Sequence, residues 1–408
     1  MEIVRPTQAP VAWARDLFTF GVTGTNGKTS TVHLLASVLE AAGHPALSVS
    51  TVGYALQGQP LSLPTSAQGF LDACARLHQM GGRHAVVECT SQSLAEGYAR
   101  RWCFDMGVFT NLSADHLATH GSWEHYLASK AQLFTHLGPG RVAVLNAADP
   151  YGLMLDKVIP PDVERRLFCS PTRGPALRDA DLAVATVAVS VEGTQVTLAP
   201  STWADALGGA LSVRMVGEVF AENALAAAAA GLAAGLPGEA IARGLAQCPP
   251  VAGRFEVLAR QPTVVVDYAH EADALERTCN TARTLTHGQL WVVFGAGGDT
   301  SGDKRIPMGE AVGRSADVAI VTNDNPRTES PEHIADMLTA GLTTGGRARV
   351  ERILDRGAAI ERAVRSAQPD DIVLIAGKGH ETGQIIGEEV VPFSDRERVL
   401  QLTGASSS

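Results

Sequence analysis

With 408 residues, 45% of them hydrophobic and 19% charged, the chain has the make-up of a globular protein of two or three domains with a sizeable core. A net charge of −10 argues against a general nucleic-acid-binding or membrane-surface role, while leaving room for a local basic pocket. Arg5, Arg15 and Asp16 break any signal-peptide-like apolar run, the longest apolar stretch (224–236) is too short and alanine-rich to span a bilayer, and the six cysteines form no CxxC pair. Scattered single cysteines suit a reducing compartment, so a cytoplasmic location without a zinc ribbon is expected.

Residues 1–16 read as a lead-in. The apolar run 17–22 reads as a buried strand and leads directly into Thr23-Gly24-Thr25-Asn26-Gly27-Lys28-Thr29-Ser30. A glycine-rich turn between strand and helix presents backbone N–H groups to phosphate oxygens; Lys28 adds a positive charge and the Thr29 hydroxyl can ligate Mg²⁺. The spacing departs from the common phosphate loop, because Val22 stands where its first glycine would be. Apolar runs at 85–88, 106–109 and 142–145 alternate with helical patterns at 31–42 and 122–137, which predicts a parallel sheet covered by helices on both faces.

Residues 182–191 and 194–198 alternate as strands and predict an antiparallel β insertion within 182–215. The alanine-rich stretch 221–235 reads as a well-packed helix. Cys248-Pro-Pro-Val-Ala-Gly253 breaks the pattern and divides the chain into a nucleotide-binding domain (1–250) and a second doubly wound domain (251–408), with strands expected at 263–266, 290–294, 318–321 and 372–375. Residues 404–408 are expected to be disordered, and no internal repeat is present. Gly295-Ala-Gly-Gly-Asp-Thr300 follows a strand, but Thr300 breaks the GxGxxG pattern of a dinucleotide site.

The Thr-Gly-Thr-Asn-Gly-Lys-Thr loop resembles that of Mur ligases and folylpolyglutamate synthases, and the resemblance to Mur ligases extends over 18–398. It is carried by Phe109-Thr-Asn-Leu112, Asp115-His116, His120-Gly121, Ser129-Lys130-Ala-Gln-Leu-Phe134, Gly253-Arg254-Phe255-Glu256 and Asp267-Tyr-Ala-His270. Phe294-Gly-Ala-Gly-Gly-Asp299, Lys304-Arg305, Asp324-Asn-Pro-Arg327, Gly377-Lys-Gly-His-Glu381 and Asp395-Arg396-Glu397 complete it. The chain is most similar to the diaminopimelate-adding members.

The resemblance implies an α/β fold: a central P-loop ATPase domain whose parallel sheet carries a small antiparallel part, and a C-terminal Rossmann-like domain. It implies an enzyme that uses ATP to phosphorylate a carboxylate and lets an amine displace the phosphate, giving an amide, ADP and phosphate. Catalysis of that kind is mostly positioning and charge neutralisation. Thr25, Asn26, Gly27, Lys28, Thr29 and Ser30, with Asn223, Arg254, Asp267 and His270, would bind ATP. Lys28, Glu88, His116 and Lys130 would be the catalytic set. Thr29 and Glu88 would hold one Mg²⁺, and His116 with a carbamoylated Lys130 a second. Asp324, Asn325, Arg327, Gly377 and Glu381 would bind the incoming amino acid, of diaminopimelate type, with Arg327 gripping a carboxylate. A structural aspartate at a strand end is the lesser alternative for Asp267, and the role of His120 stays open.

Two departures shape the expected function. Family members carry a uridine-nucleotide-binding domain ahead of the loop; the 22 residues before Thr23 cannot form one, so UDP recognition in the usual way is not expected and a partner protein has room to replace it. The acceptor-side stretches have drifted: Leu63-Pro-Thr-Ser-Ala67 stands for the family's Asn-Thr-Thr-Pro-Asp, and Glu88-Cys-Thr-Ser-Gln92 ends in Gln where the family has His. The expectation is an amide ligase acting on a carboxylate or peptide other than UDP-muramoyl dipeptide, as in specialised peptide biosynthesis. The alternatives are peptidoglycan-precursor synthesis, a folylpolyglutamate-type ligase and a non-catalytic module.

Overall fold

The computed structural model describes residues 11–112, 122–170, 174–300, 302–346 and 348–404. The chain divides into two compact units, the first built chiefly from residues up to Pro249 and the second from Pro250 onward. His116 and His120, and all of 404–408 except Gly404, lie outside the described residues.

The first unit holds one sheet of eleven strands. They are β1 (Phe18–Thr23), β2 (Ala46–Ser50), β3 (Gly53–Leu56), β4 (Gln59–Leu61), β5 (His84–Glu88), β6 (Met106–Phe109), β7 (Val142–Asn146), β8 (Glu164–Cys169), β9 (Leu182–Ser190), β10 (Gly193–Leu198) and β11 (Ala210–Val213). Their order is β11-β10-β9-β8-β7-β6-β1-β5-β2-β3-β4. The centre is parallel: β1 pairs with β5 and β6, β6 with β7, and β7 with β8. These strands are short, near-continuous apolar runs because helices cover both faces; Phe20, Val22, Val86, Val108 and Val144 are completely buried or nearly so.

Antiparallel pairs occur at the margins, β2 with β3, β3 with β4, and β10 with β11. The expected insertion is therefore an extension of the same sheet, joined through a parallel β8–β9 pairing. Helix Lys28–Ala41 follows β1 directly. The alanine-rich segment forms helix Glu218–Ala233, buried from Phe220 through Gly231 and packed against helix Lys28–Ala41. Small side chains all round allow a helix to be enclosed on every face.

The second unit is a six-stranded sheet, β12 (Glu256–Arg260), β13 (Thr263–Asp267), β14 (Leu290–Phe294), β15 (Val318–Val321), β16 (Arg349–Arg352) and β17 (Ile372–Ala376). The order is β12-β13-β17-β14-β15-β16, parallel except for β12. A separate hairpin follows, β18 (Gly383–Ile386) with β19 (Glu389–Pro392). The four central strands were legible as apolar runs. The edge strands β12 and β16 were not, because Glu256, Arg260, Arg349, Glu351 and Arg352 give them the charged character that edges tolerate. Among the described residues no helix is long and apolar enough to cross a membrane.

Candidate active site

The parallel strands of each unit end in loops on one side of their sheet, the side where α/β folds hold ligands. In the first unit the loop after β1 is one such ending. Gly27 caps helix Lys28–Ala41 in the left-handed conformation, φ 83°. A Cβ on Gly27 would stand 2.1 Å from Asn223 Oδ1, so glycine is required there both by backbone angle and by space. Asn223 is buried, and its Oδ1 accepts no hydrogen bond among the described residues. An orphaned buried acceptor beside a phosphate loop suits the amino group of a nucleobase.

The segment following β6 holds the loop in shape. Asn26 N–H donates to Asn111 Oδ1 (2.9 Å), while the Asn26 carbonyl accepts from the Thr110 hydroxyl (2.7 Å) and from Asn111 Nδ2 (3.1 Å). Asn111 Nδ2 also donates to buried Glu222 (2.7 Å), which reaches in from helix Glu218–Ala233. Sequence reasoning quoted Thr110 and Asn111 within a motif but gave them no role, and missed Glu222 altogether. The polar pair directly after an apolar strand was the signal available.

The predicted catalytic side chains gather around the same loop. Lys28 Nζ donates to the Thr25 carbonyl (2.7 Å). The Thr29 hydroxyl donates to Glu88 Oε2 (2.9 Å), and the same oxygen accepts from the Thr51 backbone N–H (3.1 Å). The β1–β5 register places Glu88 opposite Val22, next to the start of the loop. Lys130 is 1% exposed, its Nζ donating to the Gly24 carbonyl (2.7 Å) and lying 4.4 Å from the Tyr126 ring centroid. The Tyr126 hydroxyl in turn bonds Thr25 Oγ1 (3.1 Å). Ser30 is buried in the first turn of helix Lys28–Ala41. His116, the remaining member of the set, lies outside the described residues.

In the second unit, Asp267 at the end of β13 is fully engaged. Its Oδ2 accepts from Phe255 N–H (2.7 Å), and its Oδ1 from Ala269 N–H (2.8 Å) and the Thr278 hydroxyl (3.2 Å). These bonds hold Asp267 in place at the end of the strand. The Arg254 guanidinium lies 4.7 Å from the Tyr268 ring centroid, and His270 Nδ1 donates to the Tyr268 carbonyl (2.8 Å).

The endings of β15 and β17 bring together residues more than fifty positions apart. Lys378 is fully buried, and its Nζ donates to Asn325 Oδ1 (3.0 Å) and Glu381 Oε2 (2.7 Å). Asn325 Nδ2 donates to the same Glu381 oxygen (3.1 Å). Gly377 has φ +121°, and a Cβ there would stand 2.5 Å from Asp324 Oδ2. Arg327, at φ 52°, donates from Nη1 to the Gly298 carbonyl (2.5 Å) and joins the hairpin through its backbone N–H to the Ile385 carbonyl (3.1 Å).

Beneath this cluster sits a completely buried ion pair. Arg356 Nε and Nη2 donate to the two oxygens of Asp395 at 2.7 and 2.6 Å. The same guanidinium donates to the Asn323 carbonyl (3.2 Å) and the Ala376 carbonyl (3.0 Å), the residues immediately before Asp324 and Gly377. Arg356 thus fixes the take-off points of both loops.

A glycine-rich loop between strand and helix in one α/β unit, and a second α/β unit whose strand ends gather Asn325, Lys378 and Glu381, are the frame of an ATP-dependent acid–amino-acid ligase. Residues 22–231 match the Mur ligase middle domain, and residues 253–379 match the Mur ligase, glutamate ligase domain. The chain belongs to the Mur ligase family. It is 38% identical over 393 residues to the UDP-N-acetylmuramoyl-L-alanyl-D-glutamate–2,6-diaminopimelate ligase of Vibrio vulnificus, covering 95% of this chain and 77% of that one. It is 41% identical over 392 residues to the ligase of the same name from Thermosynechococcus vestitus, covering 94% and 76%. A solved structure of a UDP-N-acetylmuramoyl-L-alanyl-D-glutamate–2,6-diaminopimelate ligase superposes with TM-score 0.65 at 31% identity, covering 95% of this chain and 78% of that one. Folylpolyglutamate synthase of Mycobacterium tuberculosis shares the fold, with TM-score 0.71 at 21% identity over 97% and 93% of the two chains.

Proposed function

We propose that this ligase joins a diaminopimelate-type amino acid to the carboxylate of a UDP-muramoyl dipeptide, using ATP and Mg²⁺. The observation that carries the reading is the meeting of Asn325, Lys378 and Glu381 with the Arg327 loop. A fixed carboxylate and a guanidinium on neighbouring loops suit an amino acid whose far end is a zwitterion. The relatives, named for diaminopimelate and UDP-N-acetylmuramoyl-L-alanyl-D-glutamate, support it. They favour the acceptor that the drifted stretches had argued against, and so reverse the order in which the two acceptors were expected.

ATP, when bound, supplies the phosphoryl group that activates the acceptor carboxylate. Lys28 would turn from the Thr25 carbonyl to the phosphates and neutralise them, and Asn223 Oδ1 would receive the adenine amino group. The donor set beside the loop, one hydroxyl and one carboxylate, suits Mg²⁺, which keeps water and phosphate oxygens in its shell. Lys130 would hold the loop through Gly24 when unmodified, and would join His116 as a metal ligand when carbamoylated.

A different acceptor is the second reading. It is favoured by Gln92, whose exposed side chain bonds Glu96 (3.1 Å) where the family pattern has His. Phosphate release from ATP, measured with diaminopimelate and either UDP-muramoyl dipeptide or nucleotide-free peptide carboxylates, separates the two. Turnover with the UDP substrate is the expected result; turnover only with a nucleotide-free carboxylate overturns the first reading in favour of the second.

A further inference from the structure

Lys378 carries a cation into the interior of the second unit, completely removed from solvent. A buried ammonium is tolerated only where its charge and its hydrogens are answered. Here one answer comes from each loop, Asn325 Oδ1 from the ending of β15 and Glu381 Oε2 from the ending of β17. The consequence for Asn325 is a fixed amide. Its oxygen faces two donors, Lys378 Nζ and the Ile385 backbone N–H (3.0 Å), so its nitrogen must face Glu381.

The consequence for Glu381 is a fixed carboxylate. Oε2 takes both bonds, while Oε1 has no hydrogen-bond partner among the described residues, and the side chain is 32% exposed. One oxygen is therefore pinned by Lys378 and Asn325, and the other is left as an acceptor in a partly exposed side chain.

We infer that Lys378 is a positioning residue that sets Asn325 and Glu381 to receive the far ammonium group of the incoming amino acid, and so determines its selection. The inference rests on the reading of this cluster as the amino-acid site. The charge balance agrees with it. Burial pushes the Glu381 carboxyl up, but the hydrogen bond and charge of Lys378, together with the Asn325 amide and His380, hold it below the usual carboxylate range. The other charged groups facing Glu381 are His380 on its own loop and, from helix Arg356–Ser366, Arg356, which also faces Asp324. An apolar residue in place of Lys378 would fill the same volume but leave the Asn325 amide free to flip and the Glu381 carboxylate free to turn.

The test compares meso-diaminopimelate with 2-aminopimelate, which is the same molecule without the far amine, as amine substrates of the full chain. Wild type, Lys378→Met and Lys378→Gln are compared by kcat/KM for each amine and by KM for ATP. Wild type is expected to prefer diaminopimelate by at least about tenfold, as sites built around a polar group do. In Lys378→Met the preference should shrink towards one, with KM for diaminopimelate rising at least about tenfold and KM for ATP holding within about twofold. The acid limb of kcat/KM for diaminopimelate should move to higher pH, because Glu381 loses the cation that lowers its pKa.

A purely structural lysine would lower both amines alike and leave their ratio and the acid limb in place; that result overturns the proposal. If the methionine variant fails to fold, the glutamine variant, which keeps a donor towards Asn325, is read by the same ratio. Failure of both to fold makes the role structural and also overturns it. Wild type that turns over neither amine with UDP-muramoyl dipeptide or with the nucleotide-free carboxylates, but turns over another amino acid, refutes the amino-acid reading itself before any variant is compared.

Discussion

At Gly27 a single hydrogen atom decides whether a phosphate loop can exist. The left-handed angle and the 2.1 Å approach of Asn223 Oδ1 both exclude a side chain. Gly27→Ala is expected to lose at least about tenfold in ATP-dependent phosphate release, with local strain of about 1–3 kcal/mol appearing as a lower unfolding midpoint. Lys28→Ala should lose more activity, about 10²-fold or greater, without the backbone strain of a side chain at position 27, because its proposed role is to neutralise phosphate charge. Phosphate release and thermal unfolding, measured side by side, distinguish the two. A third residue governs pH dependence. His84, whose ring lies 4.8 Å from that of His44, is held neutral by burial and by that neighbour, with its pKa lowered from 6.5 to about 4. The unfolded chain takes up this proton first, so stability should fall as pH drops from 6.5 towards 4. His84→Gln should flatten that slope in denaturant unfolding across the same range.

Helix Trp123–Thr135 shows how an element delivers a side chain. Ser122 starts it by accepting from His125 N–H (3.2 Å), and one and two turns later Tyr126 and Lys130 face inward to the Thr25 and Gly24 end of the phosphate loop. Ser122→Ala should cost about 1 kcal/mol of stability, read as a shifted urea midpoint with an unchanged slope. The helix itself was legible from its apolar pattern. That Lys130 would be buried against Gly24 was not, because a lysine in a helix is ordinarily solvated, and only the packing of Tyr126 beside the loop makes room for it. The same holds for Glu222. Within an alanine-rich run it reads as a break in the pattern; in the fold it is the partner of Asn111.

For the molecule as a whole, the buried Arg356–Asp395 pair ties the last helix to the interior of the second unit. Asp395 opens helix Asp395–Thr403, while Arg356 opens helix Arg356–Ser366 and reaches the Asn323 and Ala376 carbonyls ahead of Asp324 and Gly377. Asp395→Asn leaves a buried guanidinium without its counter-charge and should destabilise the second unit by about 3–5 kcal/mol. Circular dichroism during thermal unfolding should report a lowered transition, and saturating ATP, which the first unit's loop is proposed to bind, should not restore it.

The sequence by itself determined the parallel core strands, the glycine-rich loop and the helix carrying Lys130. Apolar periodicity and glycine placement are local properties, and they survive being read one segment at a time. Tertiary structure alone decided that the 182–198 strands continue the central sheet, that β12 and β16 exist as charged edges, that Asn111 and Glu222 brace the phosphate loop, and that Lys378 joins Asn325 to Glu381. Each of these depends on a hydrogen bond or ion pair between residues distant in sequence. Nothing in the local spacing of a polar residue says which partner the fold will bring to it.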